Sequence, residues 1–301
     1  AIALARYSSP EGQLICDYRY GLREAIADGV CRSPRIALLD NQRVKLTEEL
    51  ETESTVRLFP SIAKLLGESP VTYEHLLRHD EVIDQLLGLG CAKLDELRQI
   101  KPDAAGLVVA TDIEHAQQVA QALGAKGESY RVVTNRTPDA QHVINAFRHS
   151  DCRWIVAVGM VSEGTDIRRL QVCCYLSRIR TELHYRQVLG RVLRRMGESD
   201  DQAWLFMLAE PALQRFAERI ADDLPYDLAV LSRVHMPAAS SGSMAGGMVA
   251  TRDIDGCGGS EVGQNLVVGL AGAYSLGDFA VEPSYQVSFS QHYRQLLLAF
   301  F

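Results

Sequence analysis

The sequence predicts an α/β fold: a parallel β-sheet with helices packed on both of its faces. Three observations point there. Short apolar runs that read as buried strands recur at Leu107–Ala110, Trp154–Val158, Val172–Leu176 and Ala203–Leu208. Stretches with helical spacing alternate with them, and this alternation is the mark of strand–helix–strand crossovers. The chain has 301 residues, 47% of them hydrophobic and 23% charged, enough to bury a sizeable core.

In chain order, residues 1–45 mix short apolar runs with turn residues (Pro10, Gly12, Gly21, Gly29, Pro34), and Arg35–Asp40 among them reads as a strand. Residues 46–100 carry helical spacing. Leu58, Ile62, Leu65 and Leu66 form one stripe, Leu76, Leu77, Ile83, Leu86 and Leu87 another, and Gly67 and Pro70 part the two. This stretch is expected to be a helical insertion.

Residues 101–236 hold the sheet. Leu107–Ala110 is a strand and Asp112–Leu123 a helix capped by Thr111 or Asp112. Tyr130–Thr134 is a strand, and Pro138–His149 a helix opened by proline. Strands Trp154–Val158, Val172–Leu176 and Ala203–Leu208 follow, with helices Glu182–Arg195 and Pro211–Ile220. Residues 237–301 change character: ten glycines between 241 and 277 read as a Gly/Ser-rich tail. The last stretch, Ser288–Phe301, is expected to be a short apolar helix whose LLLAFF ending needs a covering surface.

Seven cysteines form no CxxC pair and are odd in number, so neither a disulfide framework nor a metal site is expected, and a reduced, cytoplasmic setting fits. No apolar run reaches the roughly 18 residues of a membrane span, and no signal-peptide pattern opens the chain, so no membrane partner is expected. The net charge of −7 conceals segregation. Between Arg168 and Arg195 lie eight arginines (168, 169, 178, 180, 186, 191, 194, 195) and one acid, Glu182, whereas residues 46–100 hold eleven acids and five basic residues. Such a contrast suggests a basic face for phosphate or nucleic acid, a solvated helix surface being the alternative. Arginine outnumbers lysine 26 to 5, and guanidinium is the better bidentate phosphate partner.

Two constellations carry chemistry. Val156–Ile167 (VAVGMVSEGTDI) follows one strand and precedes another, so it is expected at a strand's carboxyl end, the edge where open parallel sheets bind ligands. Its Gly159 and Gly164 permit close backbone approach, Ser162 offers a hydroxyl and Asp166 an acceptor. The second is Gln187–Arg194 (QVLGRVLR). On a helix, Gln187, Arg191 and Arg194 fall at i, i+4 and i+7 and project from one face, with Gly190 leaving room beside them. Two guanidinium groups so placed can meet a polyphosphate with paired hydrogen bonds.

Together and in this order, these tracts resemble the second RecA-like domain of superfamily-two helicases. SEGTDI matches that family's motif V, QVLGRVLR its motif VI (QxxGRxxR), and Leu107–Ala116 (LVVATDIEHA) its motif IV. The run from Ile100 to Ile220 further resembles restriction-helicase-like members of the DEAD/DEAH-box group, and Tyr18–Arg32 is similar to the segment that joins their two motor domains.

The resemblance implies a RecA-like helicase C-terminal domain over 101–236, with residues 1–45 as remnant and linker of a first motor domain. It implies an ATP-dependent motor on nucleic acid, with DNA favoured, whose first RecA-like domain acts in cis or in trans and holds most of the ATP and Mg²⁺. Arg194 would be the arginine finger on the transferring γ-phosphoryl group, Arg191 its neighbour, and Gln187 would position nucleotide or water. Asp166, Gly164 and Gly190 would lie against the nucleotide. Thr111, Asp112, Thr134, Ser162 and Glu163 would meet the nucleic-acid strand, where backbone contacts dominate.

The departures are equally legible. No GxxxxGK[ST] loop occurs, Gly124–Ser129 (GAKGES) lacking the spacing, and the DEVI of Asp80–Ile83 lies in the helical part rather than after a strand. The chain by itself is therefore expected to hydrolyse no ATP. A helicase-derived docking module for nucleic acid or protein, without catalysis, is the alternative, although such a module has no need of both Arg191 and Arg194.

Other residues have plainer readings. His115 could face nucleic acid, with an idle surface histidine as the alternative. His184 and Tyr185 orient or pack, Cys173 and Cys174 are buried, and Trp154 and Trp204 belong to the core. His75 and His79 do not complete a metal signature.

Overall fold

A computed structural model of the chain describes residues 20–49, 54–159, 166–195, 197, 202–222, 230–234, 284–290 and 293–299. Helix α1 (Leu22–Ala27) leads into β1 (Ser33–Asn41), which turns into β2 (Val44–Glu49) and β3 (Ser54–Phe59). Three helices follow: α2 (Ile62–Glu68), α3 (Tyr73–Leu77) and the long α4 (Asp80–Ile100). Then come β4 (Ala105–Ala110), α5 (Ile113–Ala125), β5 (Tyr130–Val133), α6 (Ala140–Arg148), β6 (Trp154–Ala157) and β7 (Leu170–Leu176). The order closes with α7 (Glu182–Val192), β8 (Gln202–Leu208), α8 (Pro211–Asp222), β9 (Val230–Val234), β10 (Ser284–Phe289) and β11 (Tyr293–Ala299).

Eight strands form one sheet in the order β5-β6-β4-β7-β8-β1-β11-β9. The first six run parallel, and β11 runs antiparallel to both β1 and β9. Burial follows from this layout. β4, β6 and β7 are buried at every position, because helices cover both faces. Adjacent residues of β7 reveal the two layers: the Cys174 thiol donates to the Leu86 carbonyl of α4, while the Tyr175 ring meets His184 and Tyr185 of α7 edge-on. Trp154 fills the α4 side, where the missing side chains of Gly90 and Gly106 make room for its ring. A second, three-stranded antiparallel sheet, β10-β2-β3, joins the first through the β1–β2 and β10–β11 turns. There the Asn41 amide donates to the Ser290 carbonyl at 2.8 Å.

Several expected elements differ. The sheet crosses the divisions drawn at residues 45 and 236, since β1 lies between β8 and β11. Leu58, assigned to a helical stripe, sits exposed on β3; the β-branched residues Thr55 and Val56 beside it pair with β2 instead. Helix α4, expected within a helical insertion, is a covering layer over β4, β7 and β8. The helix expected over Ser288–Phe301 is the end of β10 and then β11, because an apolar run flanked by strands on both sides suits a sheet interior as well as a helix. Helix α6 starts at Ala140 after a left-handed Asp139 (φ 49°), two residues beyond Pro138.

Candidate functional site

Helix α7 begins at Glu182, after Thr181 at the N-cap, and Glu182 binds Arg186 at 2.9 Å and Arg219 at 2.5 Å. Tyr185, Val188, Leu189 and Val192 are buried against the sheet and α8, with Tyr185 6.0 Å from Phe216. Leu183, Arg186 and Gly190 face outward, and a side chain added at Gly190 would meet nothing. Gln187 and Arg191 are half-buried. Arg191 lines a shallow pocket with His184 and Val188 of its own helix, Leu107 and Val109 of β4, and Ala157 and Gly159 at the carboxyl end of β6. His184 is buried there with no hydrogen-bond partner for Nε2, and burial lowers its pKa.

The helix stops at Val192, two residues before Arg194, so Gln187, Arg191 and Arg194 do not share one helical face. Arg32 sits at that end. Its guanidinium, 0% exposed, donates through Nη1 to the carbonyls of Val192 (2.6 Å) and Leu170 (2.5 Å) and through Nη2 to that of Arg168 (2.7 Å). Its backbone N–H takes the Leu193 carbonyl at 2.7 Å. The Val192 and Leu193 carbonyls at the helix end are thereby engaged, and Arg194 leaves the helical path to form an antiparallel bridge with Cys31.

From that bridge Arg194 reaches Asp166, Nη1 to Oδ1 at 2.6 Å, while Arg168 Nε donates to Oδ2 of the same carboxylate at 3.2 Å. Burial would raise the Asp166 pKa, but the two guanidinium groups outweigh it and hold the carboxyl below its usual range. The side chains of Arg194 and Asp166 are 42% and 40% exposed. Both residues lie beside strand beginnings, Asp166 shortly before β7 and Arg194 against the residue before Arg32 and β1. This corrects the expectation that the whole VAVGMVSEGTDI tract sits at a carboxyl edge: the connection starts at the carboxyl end of β6 and crosses to the amino end of β7. Ser162, Glu163 and Gly164 lie outside the described residues.

Thr111, Asp112 and Thr134 follow the carboxyl ends of β4 and β5, on the opposite edge, a strand length of roughly 20 Å away. Thr111 Oγ1 donates to the Leu176 carbonyl at 3.0 Å. Asp112 caps α5, accepting the His115 N–H at 3.0 Å, and pairs with Arg78. Burial opposes its ionisation, but these two donors keep its pKa low. Thr134 is buried and accepts from the Arg136 N–H at 3.2 Å. His115 is fully buried, not on the surface; its Nδ1 accepts the Thr111 N–H at 3.2 Å, and burial, aided by the Arg78 charge, pushes its pKa down to about 4.

Nor do the eight arginines make one basic face. Arg169 is buried, and its guanidinium donates to the carbonyls of Phe147, Cys152 and Asp103. Arg178 meets Glu74, Arg180 meets Glu210 and Arg186 meets Glu182. Folding brings in acids from distant segments that a linear count does not see. What remains convergent is Arg168, Arg194 and Asp166, with Arg191 and Gly190 on the adjoining helix. Guanidinium groups gathered on one half-exposed carboxylate have the fork geometry that also suits phosphate. Among the described residues, no three His, Cys, Asp or Glu side chains gather as a metal cluster, and no helix is long and apolar enough to cross a membrane. Sequence reasoning missed Arg32, which entered only as the last residue of the Tyr18–Arg32 tract and carries no motif.

Residues 90–196 match the family described as Helicase conserved C-terminal domain. This stretch thus carries a helicase C-terminal-like domain with an α/β RecA-like fold. It is 31% identical over 234 residues to the uncharacterized protein Rv2917 of Mycobacterium tuberculosis, covering 74% of this chain and 36% of that one. It is 29% identical over 213 residues to the uncharacterized protein ML1624 of Mycobacterium leprae, covering 68% and 34%. The chain therefore spans about a third of the length of these relatives. Among solved structures, it resembles the fragment of a putative HsdR subunit of a type I restriction enzyme from Vibrio vulnificus (15% identity, 67% of this chain and 36% of that one, TM-score 0.47). It also resembles the Hef helicase domain of Pyrococcus furiosus (16% identity, 42% and 26%, TM-score 0.32).

Proposed function

We propose that this chain carries the C-terminal motor domain of an ATP-dependent nucleic-acid motor, with DNA as its favoured substrate, and that it presents arginines to a nucleotide seated on a first RecA-like domain. The observation that carries the reading is the convergence of Arg194, Arg168 and Asp166 where the segments resembling motifs V and VI meet, beside the half-buried Arg191. When bound, ATP supplies the free energy of phosphoryl transfer. Arg194 and Arg191 would offer positive charge to its phosphates, Asp166 would orient Arg194, and Gly190 would let the partner domain approach the helix.

Arg194 is already paired, yet the pairing is a weak lock. Ion pairs with side chains this exposed contribute about 0–1 kcal/mol, less than a polyphosphate can offer the same guanidinium. Thr111, Asp112 and Thr134 line the opposite edge, and their polar groups serve the fold first; a strand there would meet backbone and the loops around them. The length of the relatives beyond the matched region leaves room for a first motor domain.

The test mixes this chain with a first RecA-like domain that carries GxxxxGK[ST] and DExH, and measures DNA-stimulated ATP turnover. Restored turnover that Arg194→Ala abolishes is expected. Equal turnover with either chain would favour the non-catalytic docking module instead.

A further inference from the structure

Arg32 lies outside every motif, yet one fully buried guanidinium ties three segments together: its own, residues 168–170 and residues 192–194. A buried cation persists only when its donors are taken up, and here at least three carbonyls take them. One of these, Val192, belongs to the last turn of α7, where orphaned carbonyls and the helix dipole both favour a positive charge. The consequence reaches the neighbouring side chains. Residues 168–170 begin two positions after Asp166, and residues 192–194 end on Arg194. The Asp166–Arg194 pair therefore links, from outside, the same two segments that Arg32 ties together from inside. The backbone bridge between Cys31 and Arg194 continues the same junction.

We infer that Arg32 is a positioning residue for Arg194: it sets the place and direction of that guanidinium by holding the end of α7 against the strand that follows Asp166. Lysine keeps the charge but replaces the planar fork, whose Nη1 and Nη2 serve different carbonyls, with a single donor atom. The inference deepens the proposed motor role, but its geometric part stands apart from that role.

The experiment uses the full 301-residue chain. In the unsubstituted protein, ¹H–¹⁵N spectra should show slowly exchanging Arg32 guanidinium protons; protons exchanging at the solvent rate would overturn the inference whatever any variant does. In Arg32→Lys, shown to be folded by circular dichroism, the Asp166 carboxyl should titrate closer to an ordinary aspartate, as in Arg194→Ala. Titration unchanged from the unsubstituted chain would overturn it. In the two-domain turnover assay, Arg32→Lys should lower kcat by up to about 10²-fold, the scale of a misplacement of about 1 Å, with KM unchanged. A rise in KM alone would count against positioning. Loss of the effect of Arg194→Ala on turnover would sink the motor reading while leaving the spectroscopic results to decide the role of Arg32.

Discussion

Arg194 and Asp166 meet at 2.6 Å beside the amino-terminal edge of the sheet, joining the end of one helix to the loop that enters β7. The carboxyl is held below its usual range by Arg194 and Arg168 against the opposing effect of burial. Folding thus lowers this pKa, so the pair contributes stability above the unfolded aspartate value and loses it as pH falls through the folded value. Arg194→Ala should raise the Asp166 pKa, measured by carboxyl NMR, and shift stability by no more than about 1 kcal/mol. A pKa identical in both proteins would mean the pair does not persist in solution.

Turnover offers the functional counterpart. With a first RecA-like domain supplied, Arg194→Ala should reduce kcat on the order of 10³-fold, as for arginines that stabilise phosphoryl transfer. Arg191→Ala is expected to act in the same direction. The purified chain without that domain should show no ATP turnover, and a robust rate from it alone would contradict the reading.

His115 makes stability depend on pH. Burial pushes its folded pKa down to about 4, below the ordinary histidine value of about 6.5, so the unfolded chain takes up a proton first as the solution is acidified. Stability should be full above pH 6.5 and fall between there and about pH 4, by on the order of 2–3 kcal/mol. Urea unfolding at pH 7 and pH 4.5 measures the fall, and His115→Gln should flatten it.

Arg169 is a structural arginine. Replacing it with methionine would leave the carbonyls of Phe147 and Cys152 without their buried donor, a loss of about 1–3 kcal/mol in chemical denaturation. The same change at exposed Arg186 should be within about 0.5 kcal/mol.

Gly106 is fixed by packing. A Cβ there would collide with the Trp154 ring, itself fully buried, so Gly106→Ala should destabilise by about 1–3 kcal/mol or more and lower the thermal midpoint. Gly67→Ala, which meets nothing, is the control.

The strands of the sheet centre were legible in the chain because burial on both faces makes each one a short apolar run, and β4, β6, β7 and β8 lie within a few residues of where those runs place them. The caps were legible too, Asp112 before α5 being one. Elements at the far side of the sheet were misread for an equally physical reason. LLLAF suits helix or strand alike, and only its neighbours β1 and β9 select the strand.

At the site, local pattern identifies residues but not their partners. The spacing of Gln187, Arg191 and Arg194 assumes that the helix continues, and nothing nearby in sequence announces that residue 194 will bridge to Cys31 or that Arg32, 160 residues before Val192, will take the carbonyl of its last turn. Charge counting along the chain likewise finds eight arginines, but not Glu74 or Glu210, which neutralise two of them from afar. Short-range periodicity and residue chemistry settle which segments are strands, helices and candidate phosphate-facing arginines. Where a guanidinium points depends on contacts between segments far apart in the chain, and those exist only once the sheet has assembled.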